Sequence, residues 1–293
     1  MKYQKKTDKE HILSNPDTYI GSVELIESTQ HIYFDAENTI VAKPIEIIPG
    51  LFKLFDEGIV NSRDHAIRMQ MTTEENKCDV TKIEVSVDDD GTITFLNDGN
   101  GVDVEKHPEH DIWIPEMIFA HLRTGTNYNK DEKKIVGGKN GFGVKLIYIW
   151  STYGELETVD HKRGLKYHQT YSNNLDVINP PTITKTKTKP YTKIVFKPDY
   201  QRFGLKTLTN DIIALFKKRV YDIGAVTPKS IRVKWNNNPI NVKDFSDYAD
   251  LYIGSKSDAP RAHELFSDRW EYVVSISKTD EFQQISFVNG INT

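Results

Sequence analysis

The strongest periodicity in the chain is helical. Across residues 51–70, Leu51, Phe55, Ile59, Ala66 and Met69 fall on one broad face at about 100° per residue. Glu57, Asn61, Asp64 and Arg68 fall on a narrow strip opposite, because i, i+4, i+7 and i+11 stay on one side of a helix. Such a strip is ordinarily the wet side, and it carries chemistry only if something covers it. Gly58, inside this helix, costs about 1 kcal/mol relative to Ala.

Period two takes over next. Ile83-Glu84-Val85-Ser86-Val87 and Thr92-Ile93-Thr94-Phe95-Leu96 alternate around Asp88-Asp89-Asp90-Gly91, which predicts a hairpin. The second strand runs into Asn97-Asp98-Gly99-Asn100-Gly101, by itself an ordinary polar turn. Shorter signals complete the pattern. Thr7 or Asp8 caps a helix through Leu13, ended by Asn15-Pro16-Asp17. Strands are expected at 31–35 and 39–48, and a short helix at 115–122 with Pro115 at its first turn. An antiparallel meander is expected over 156–159, 166–171, 175–178 and 192–196. Helices follow at 205–221, with Leu208, Ile212, Leu215 and Phe216 inward, and around 245–252, with a strand at 231–235 between them. After a Ser- and Gly-rich linker at 254–260 come two strands at most, at 270–277 and 283–288. Two strands cannot form an independent domain.

Composition narrows the class. At 293 residues with 13 Phe, 14 Tyr and 4 Trp, the chain can build a substantial core. A net charge of −4 argues against a surface coated for nucleic acid, though not against a local basic patch. Cys78 is the one cysteine, so no internal disulfide framework exists and a reducing, intracellular setting fits. No apolar run approaches the ~18–20 residues of a membrane span. Lys185, Lys187 and Lys189 share one face of an extended segment. Edge protection is the ordinary reading, and contact with DNA phosphates the sharper one.

The candidate chemistry starts at Gly137-Gly138-Lys139-Asn140-Gly141-Phe142-Gly143-Val144-Lys145, which leads into the apolar run Leu146-Ile147-Tyr148-Ile149-Trp150. A glycine-rich turn that opens a helix points free N–H groups at whatever precedes it, and the helix dipole favours an anion there. Lys145 adds a positive charge. The polar loop before it, 123–140, has the character of a lid. Taken with Glu57/Asn61 and Asp98/Gly101, one ligand uses all three sets: a purine nucleoside triphosphate with Mg²⁺. No GxxxxGK[ST] loop and no protein-kinase signature is present.

The order E-x-x-x-N, then Asp98-Gly99-Asn100-Gly101, then G-x-x-G-x-G resembles the GHKL ATPase family, which includes type II topoisomerases, heat-shock chaperone ATPases, MutL-type repair proteins and sensor histidine kinases. Within it, Pro16-Asp17-Thr18-Tyr19-Ile20-Gly21-Ser22, Phe55-Asp56-Glu57, Ile114-Pro115-Glu116-Met117-Ile118-Phe119, Arg219-Val220-Tyr221-Asp222-Ile223 and Phe282-Gln283-Gln284-Ile285-Ser286-Phe287-Val288-Asn289 resemble the eukaryotic-type DNA topoisomerase II branch. The resemblance implies an α+β fold: a two-layer sandwich of a mixed, largely antiparallel sheet with helices on one face. It implies an N-terminal dimerisation arm at 1–22, an ATPase domain at 23–260 and the start of a transducer domain at 261–293.

It also implies roles. Glu57 is the general base and Asn61 the Mg²⁺ ligand. Asp98 holds adenine, with Gly101 lining the pocket. Thr126 and Asn127 touch ribose or phosphate. Lys139, Asn140, Gly141, Phe142, Gly143, Val144 and Lys145 wrap the triphosphate, and Tyr3 reaches the nucleotide of a second protomer in a homodimer. The partner it implies is double-stranded DNA, captured by a nucleotide-driven gate, in a nucleus or in a virus-infected cell or virion. The γ-phosphate-sensing lysine and the DNA-cleaving elements of the family fall outside these 293 residues. Where the branch carries I-L-V-N-A-A-D-N after the acidic residue, this chain carries Gly58-Ile59-Val60-Asn61-Ser62-Arg63-Asp64-His65, and Gly125 replaces a Ser. That divergence suits a large DNA virus or a protist. The alternative is a nucleotide-dependent dimerisation module without turnover. A histidine kinase would need a phospho-acceptor helix upstream, where only His11 stands in a helical context.

Overall fold

The computed structural model describes residues 5–122, 124, 143–267, 270–277 and 281–293. Its helices are α1 Asp8–Ser14, α2 Pro16–Tyr19, α3 Pro49–Met71, α4 Ile114–Ala120, α5 Gly143–Ile149, α6 Asn210–Ala225 and α7 Phe245–Ile253. Its strands are β1 Ile26–Phe34, β2 Thr39–Ile47, β3 Lys82–Val87, β4 Ile93–Asp98, β5 Ser151–Asp160, β6 Leu165–Ser172, β7 Val177–Ile178, β8 Thr182–Lys185, β9 Tyr191–Pro198, β10 Arg232–Trp235, β11 Asn238–Pro239, β12 Arg261–Ser267, β13 Trp270–Ser275, β14 Phe287–Val288 and β15 Ile291–Asn292.

The main sheet runs β11-β10-β3-β4-β9-β5-β6-β7, with β8 also on β6. Only β10–β3 is parallel; the other pairs are antiparallel. Burial alternates strictly along β3 and β4, so one face of the sheet is covered and the other open. Helices α3, α5 and α6 supply the cover. The sequence-derived α+β class holds, as do the 83–87/92–96 hairpin and the inward sets of α3 and α6. The strip on α3 is not simply wet: Asp64 is buried.

Four aromatic rings join the layers. Phe55 of α3 stacks on Phe216 of α6 at 4.1 Å and lies 5.3 Å from Phe95 of β4, which lies 5.9 Å from Phe196 of β9. Gly58 explains itself here. A Cβ at Gly58 would collide with the Phe95 ring, so the helix sits one methyl closer to the sheet than any other residue permits. The β1–β2 ribbon packs its inner side on α6, with Tyr33 stacked 4.2 Å from Tyr221.

Several boundaries moved. The helix expected at 205–221 begins at Asn210, because Thr209 accepts from Ile212 N and caps it. Thr7 caps α1 in a reciprocal box with Glu10. Near the C-terminal end, β12–β13 is a hairpin whose first strand, Arg261–Ser267, lies between the expected linker and the expected strand at 270–277, where the sequence pattern assigns no element. It exposes Leu265, Phe266, Trp270 and Val274, so no buried face marked it as a strand. Lys185, Lys187 and Lys189 are all exposed at and after β8.

Gly58→Ala tests the close seating. Helix propensity favours it by about 1 kcal/mol, but overpacking against Phe95 costs about 1–3 kcal/mol. The expected outcome is a lower midpoint in chemical denaturation despite the better helix former.

Candidate active site

The acidic helix meets Gly143, the last glycine of the glycine-rich stretch. A Cβ at Gly143, the first residue of α5, would fall on the Glu57 carboxylate. Only glycine permits that approach, so the carboxylate sits at the amino end of α5, among N–H groups with no intrahelical partner. Glu57 is half-buried and pairs with Lys53 one turn earlier, Nζ to Oε1 2.6 Å. Asn61 lies one turn further on, half-buried, and its amide makes no hydrogen bond among the described residues. A free amide oxygen beside a carboxylate suits a hard cation that keeps most of its ligands from phosphate and water.

The turn after β4 splits by parity. Asp98 and Asn100 face the 78–82 segment. Asp98 Oδ1 accepts from Thr81 N at 2.7 Å and Lys82 N at 2.9 Å, and Oδ2 accepts from the Thr81 hydroxyl. Asn100 Oδ1 accepts from Cys78 N at 2.7 Å. The carboxylate of Asp98, expected to hold adenine, thus fastens the turn to the start of β3.

Asn97 occupies the opposite side. It is buried, in phase with Ile93 and Phe95 on the face that α3 covers. Gly58 of α3 meets Phe95 and, two turns on, His65 meets Gly99; Asn61 and Ser62 lie between these contacts along the helix, and Asn97 lies between them along the sheet. Across the sheet Asn97 pairs with Thr192, and Thr192 with Thr158. Thr158 is wholly buried. Its hydroxyl accepts from Val102 N at 3.0 Å, donates to Tyr191 O at 3.1 Å and lies 3.0 Å from the Thr192 hydroxyl. Gly101 packs directly on the Val159 carbonyl, where a Cβ would collide. A polar row of Asn97, Thr192 and Thr158 thus ends an otherwise apolar face. The sequence reading missed it, although its signal was present: three polar residues in phase with Phe95, Ile194 and Leu156.

His65 stands against Gly99. Burial, reinforced by the charge of Arg68, pushes its imidazole down to about 4, so the ring is neutral. Its Nε2 is buried without a partner among the described residues. Lys145 is buried too, one turn into α5, and donates to Thr124 O at 2.7 Å. Loss of hydration pushes its ammonium down to about 8. Val144 is half-buried against the core. Tyr3, Thr126, Asn127, Lys139, Asn140, Gly141 and Phe142 lie outside the described residues. Two open depressions, one at Ser246, Arg261 and Tyr272 and one at Lys5 and Glu10, share no residue with this cluster. His107, Glu109 and His110 come close enough to share a metal ion, on an exposed turn whose His107 Nδ1 accepts from Glu109 N.

No protein-family model matches the chain. Individual proteins do. The chain is 44% identical to the crystallised ATPase region of Saccharomyces cerevisiae topoisomerase II, superposing with a TM-score of 0.91 over 99% of this chain and 75% of that one. The chain belongs to the type II DNA topoisomerase family. The ATPase and transducer domains of topoisomerase II from Balamuthia mandrillaris superpose at a TM-score of 0.89 with 36% identity, covering 99% of this chain and 72% of that one. Among full-length topoisomerases II, the chain is 43% identical to those of Saccharomyces cerevisiae and of Acanthamoeba polyphaga mimivirus. All of this chain aligns in both cases, but it spans only 21% and 23% of their lengths. It therefore corresponds to about a fifth of such a topoisomerase, the fifth that carries the ATPase region. No helix among the described residues is long and apolar enough to cross a membrane.

The Lys145 ammonium makes a prediction with a defined sign. Its folded pKa lies below the 10.5 of an exposed lysine, so between about 8 and 10.5 the unfolded chain binds more protons. Stability gains from this group as pH rises through that window, by about 2–3 kcal/mol at most. Denaturant unfolding of wild type and Lys145→Met at pH 7.5 and 9.5 should show that gain in the wild type alone.

Proposed function

We propose that this chain binds Mg²⁺–ATP and hydrolyses it, as the ATPase gate of a type II DNA topoisomerase. The observation that carries the reading is the Glu57 carboxylate lodged against Gly143, at the amino end of the helix that the glycine-rich stretch opens. In this reading the backbone amides around Gly143 and the Lys145 ammonium hold phosphate oxygens. Asn61 contributes one oxygen to the metal shell, and Mg²⁺ supplies charge neutralisation of the phosphates. Glu57 orients a water toward the γ-phosphate and takes its proton. Its ion pair with Lys53 must open for that, since a carboxylate held by an ammonium is a poor proton acceptor.

Adenine recognition falls to Asn97 rather than to Asp98. An amide offers an acceptor to the adenine amino group and a donor to a ring nitrogen, and Asn97 faces α3. Thr158 and Thr192 stand beside it. Tyr3, Thr126, Asn127, Lys139, Asn140, Gly141 and Phe142 keep their expected nucleotide contacts. The partners are a second copy of the chain, joined through the 1–22 arm, and double-stranded DNA. The setting is a eukaryotic nucleus or a virus-infected cell.

A second reading is favoured by the Lys53–Glu57 pair itself: nucleotide binding drives dimerisation while Glu57 stays occupied and turnover is negligible. Phosphate release measured alongside solution mass, with and without a non-hydrolysable ATP analogue, separates the two. Dimerisation without release selects the second.

Two substitution experiments follow. Glu57→Ala should keep nucleotide affinity within about three-fold while phosphate release falls by about 10²-fold or more; unchanged release removes Glu57 from the mechanism. Asn97→Leu should weaken ATP binding by about ten-fold or more with the fold intact. Asp98→Ala should instead lower stability by about 2–4 kcal/mol, since it strips the Thr81 and Lys82 amides of their acceptor. Full ATP affinity in Asn97→Leu would return the adenine site to another residue.

A further inference from the structure

The α3 helix carries a second set of charges, on the side away from the nucleotide residues. Arg63 is buried, and its guanidinium is spent on backbone carbonyls. Nε and Nη2 donate to Val226 O, each at 3.0 Å, and Nη1 donates to Asn289 O at 3.0 Å. Val226 closes the carboxyl end of α6, where a cation is favoured. Asn289 and Gly290 form the turn between β14 and β15, and both have positive φ, 52° and 82°. Gly290 lies flat on the Arg63 guanidinium: a Cβ there would stand 2.6 Å from Nε, Cζ and Nη1.

A second arginine reaches the same turn. Arg219 of α6 donates from Nη2 to Gly290 O at 3.1 Å and from Nε to Asp56 Oδ1 at 2.6 Å. Asp56 precedes Glu57, and Arg63 follows Asn61 by two residues. The β14–β15 turn is therefore tied to α3 on both sides of the Glu57/Asn61 pair, through Asp56–Arg219 and through Arg63. An apolar contact supports the attachment: Phe287 of β14 meets the Tyr248 ring of α7 edge-on at 5.9 Å.

We propose that Arg63 is a positioning residue for the nucleotide site. By joining the Asn289-Gly290 turn to α3, it holds the Asn61 turn of that helix at the height at which Asn61 reaches the metal. The role rests on the Mg²⁺–ATP reading. Arg63 itself touches no nucleotide: its Nε, Nη1 and Nη2 each donate to Val226 or Asn289 carbonyls. Its action passes along the helix backbone, two residues to Asn61. The β14–β15 hairpin thereby becomes part of the support of the site, although it contributes no ligand.

The contact can be broken from either partner. Arg63→Met keeps the length and loses the donors. Gly290→Ala leaves Arg63 in place and pushes it off the turn. Two readouts are compared in variants with a cooperative thermal melt. Hydrogen exchange without nucleotide reads the anchor, and both variants should accelerate exchange about ten-fold or more in 287–292 and also raise it across 57–65. The gain in affinity for a non-hydrolysable ATP analogue on adding Mg²⁺ reads the metal site, and that gain should shrink about five-fold in both variants while Mg²⁺-free affinity stays near wild type. A residue that only stabilises the fold would lower the melting temperature and leave the Mg²⁺ gain alone. A Mg²⁺ gain within about two-fold of wild type in either folded variant overturns the proposal, as does unchanged exchange across 57–65. A wild-type chain that binds no nucleotide overturns the ATP reading and this role with it, and that failure is recognisable because the exchange experiment contains no nucleotide.

Discussion

The missing methyl at Gly58 sets the height of everything on α3. With no Cβ to hold it off Phe95, the helix settles onto β4, and Phe55 is clamped between Phe216 and Phe95. Helix height then fixes the reach of its other faces. Glu57 extends sideways to Gly143, and His65 lands on Gly99. A rise of even one ångström would separate pairs that now touch. An interior glycine is unfavourable for a helix in isolation, and this one is offset by the close contact it permits.

The second organising fact is polarity placed where apolar residues belong. Asn97, Thr192 and Thr158 lie on the covered side of the sheet, in phase with phenylalanine, isoleucine and leucine. Buried polar groups are costly unless paired. Thr158 is fully engaged with Val102, Tyr191 and Thr192, and Asn97 donates to the Asp98 carbonyl at 2.9 Å. The row is held in register by strand pairing before any ligand arrives.

Much of this was legible in the residues. The helical period of α3 and the alternation of β3 and β4 gave their faces, and the ordered motifs around Glu57, Asp98 and Gly143 pointed to one site. Strand parity was legible too, yet the acidic residue of Asn97-Asp98-Gly99-Asn100-Gly101 drew attention to the carboxylate of Asp98 and away from its neighbour. Which of two adjacent residues at a strand end faces the helix depends on which side of the sheet is covered, and that is settled by packing distant in sequence. The Arg63 contacts were invisible for a similar reason: Val226 and Asn289 offer backbone carbonyls, which every residue has. The β12 strand escaped because an exposed strand has no polar–apolar alternation to read.

Lys145 shows what burial does to the thermodynamics of capture. An exposed lysine must shed its water shell each time it closes on an anion, and most of the Coulombic gain is consumed there. Lys145 shed that shell when the chain folded, and the Thr124 carbonyl oxygen is among the groups that replace it. An oxyanion reaching it would meet a charge already stripped and aimed in a medium that screens poorly. The cost is borne once, by the stability of the domain, instead of at every binding event.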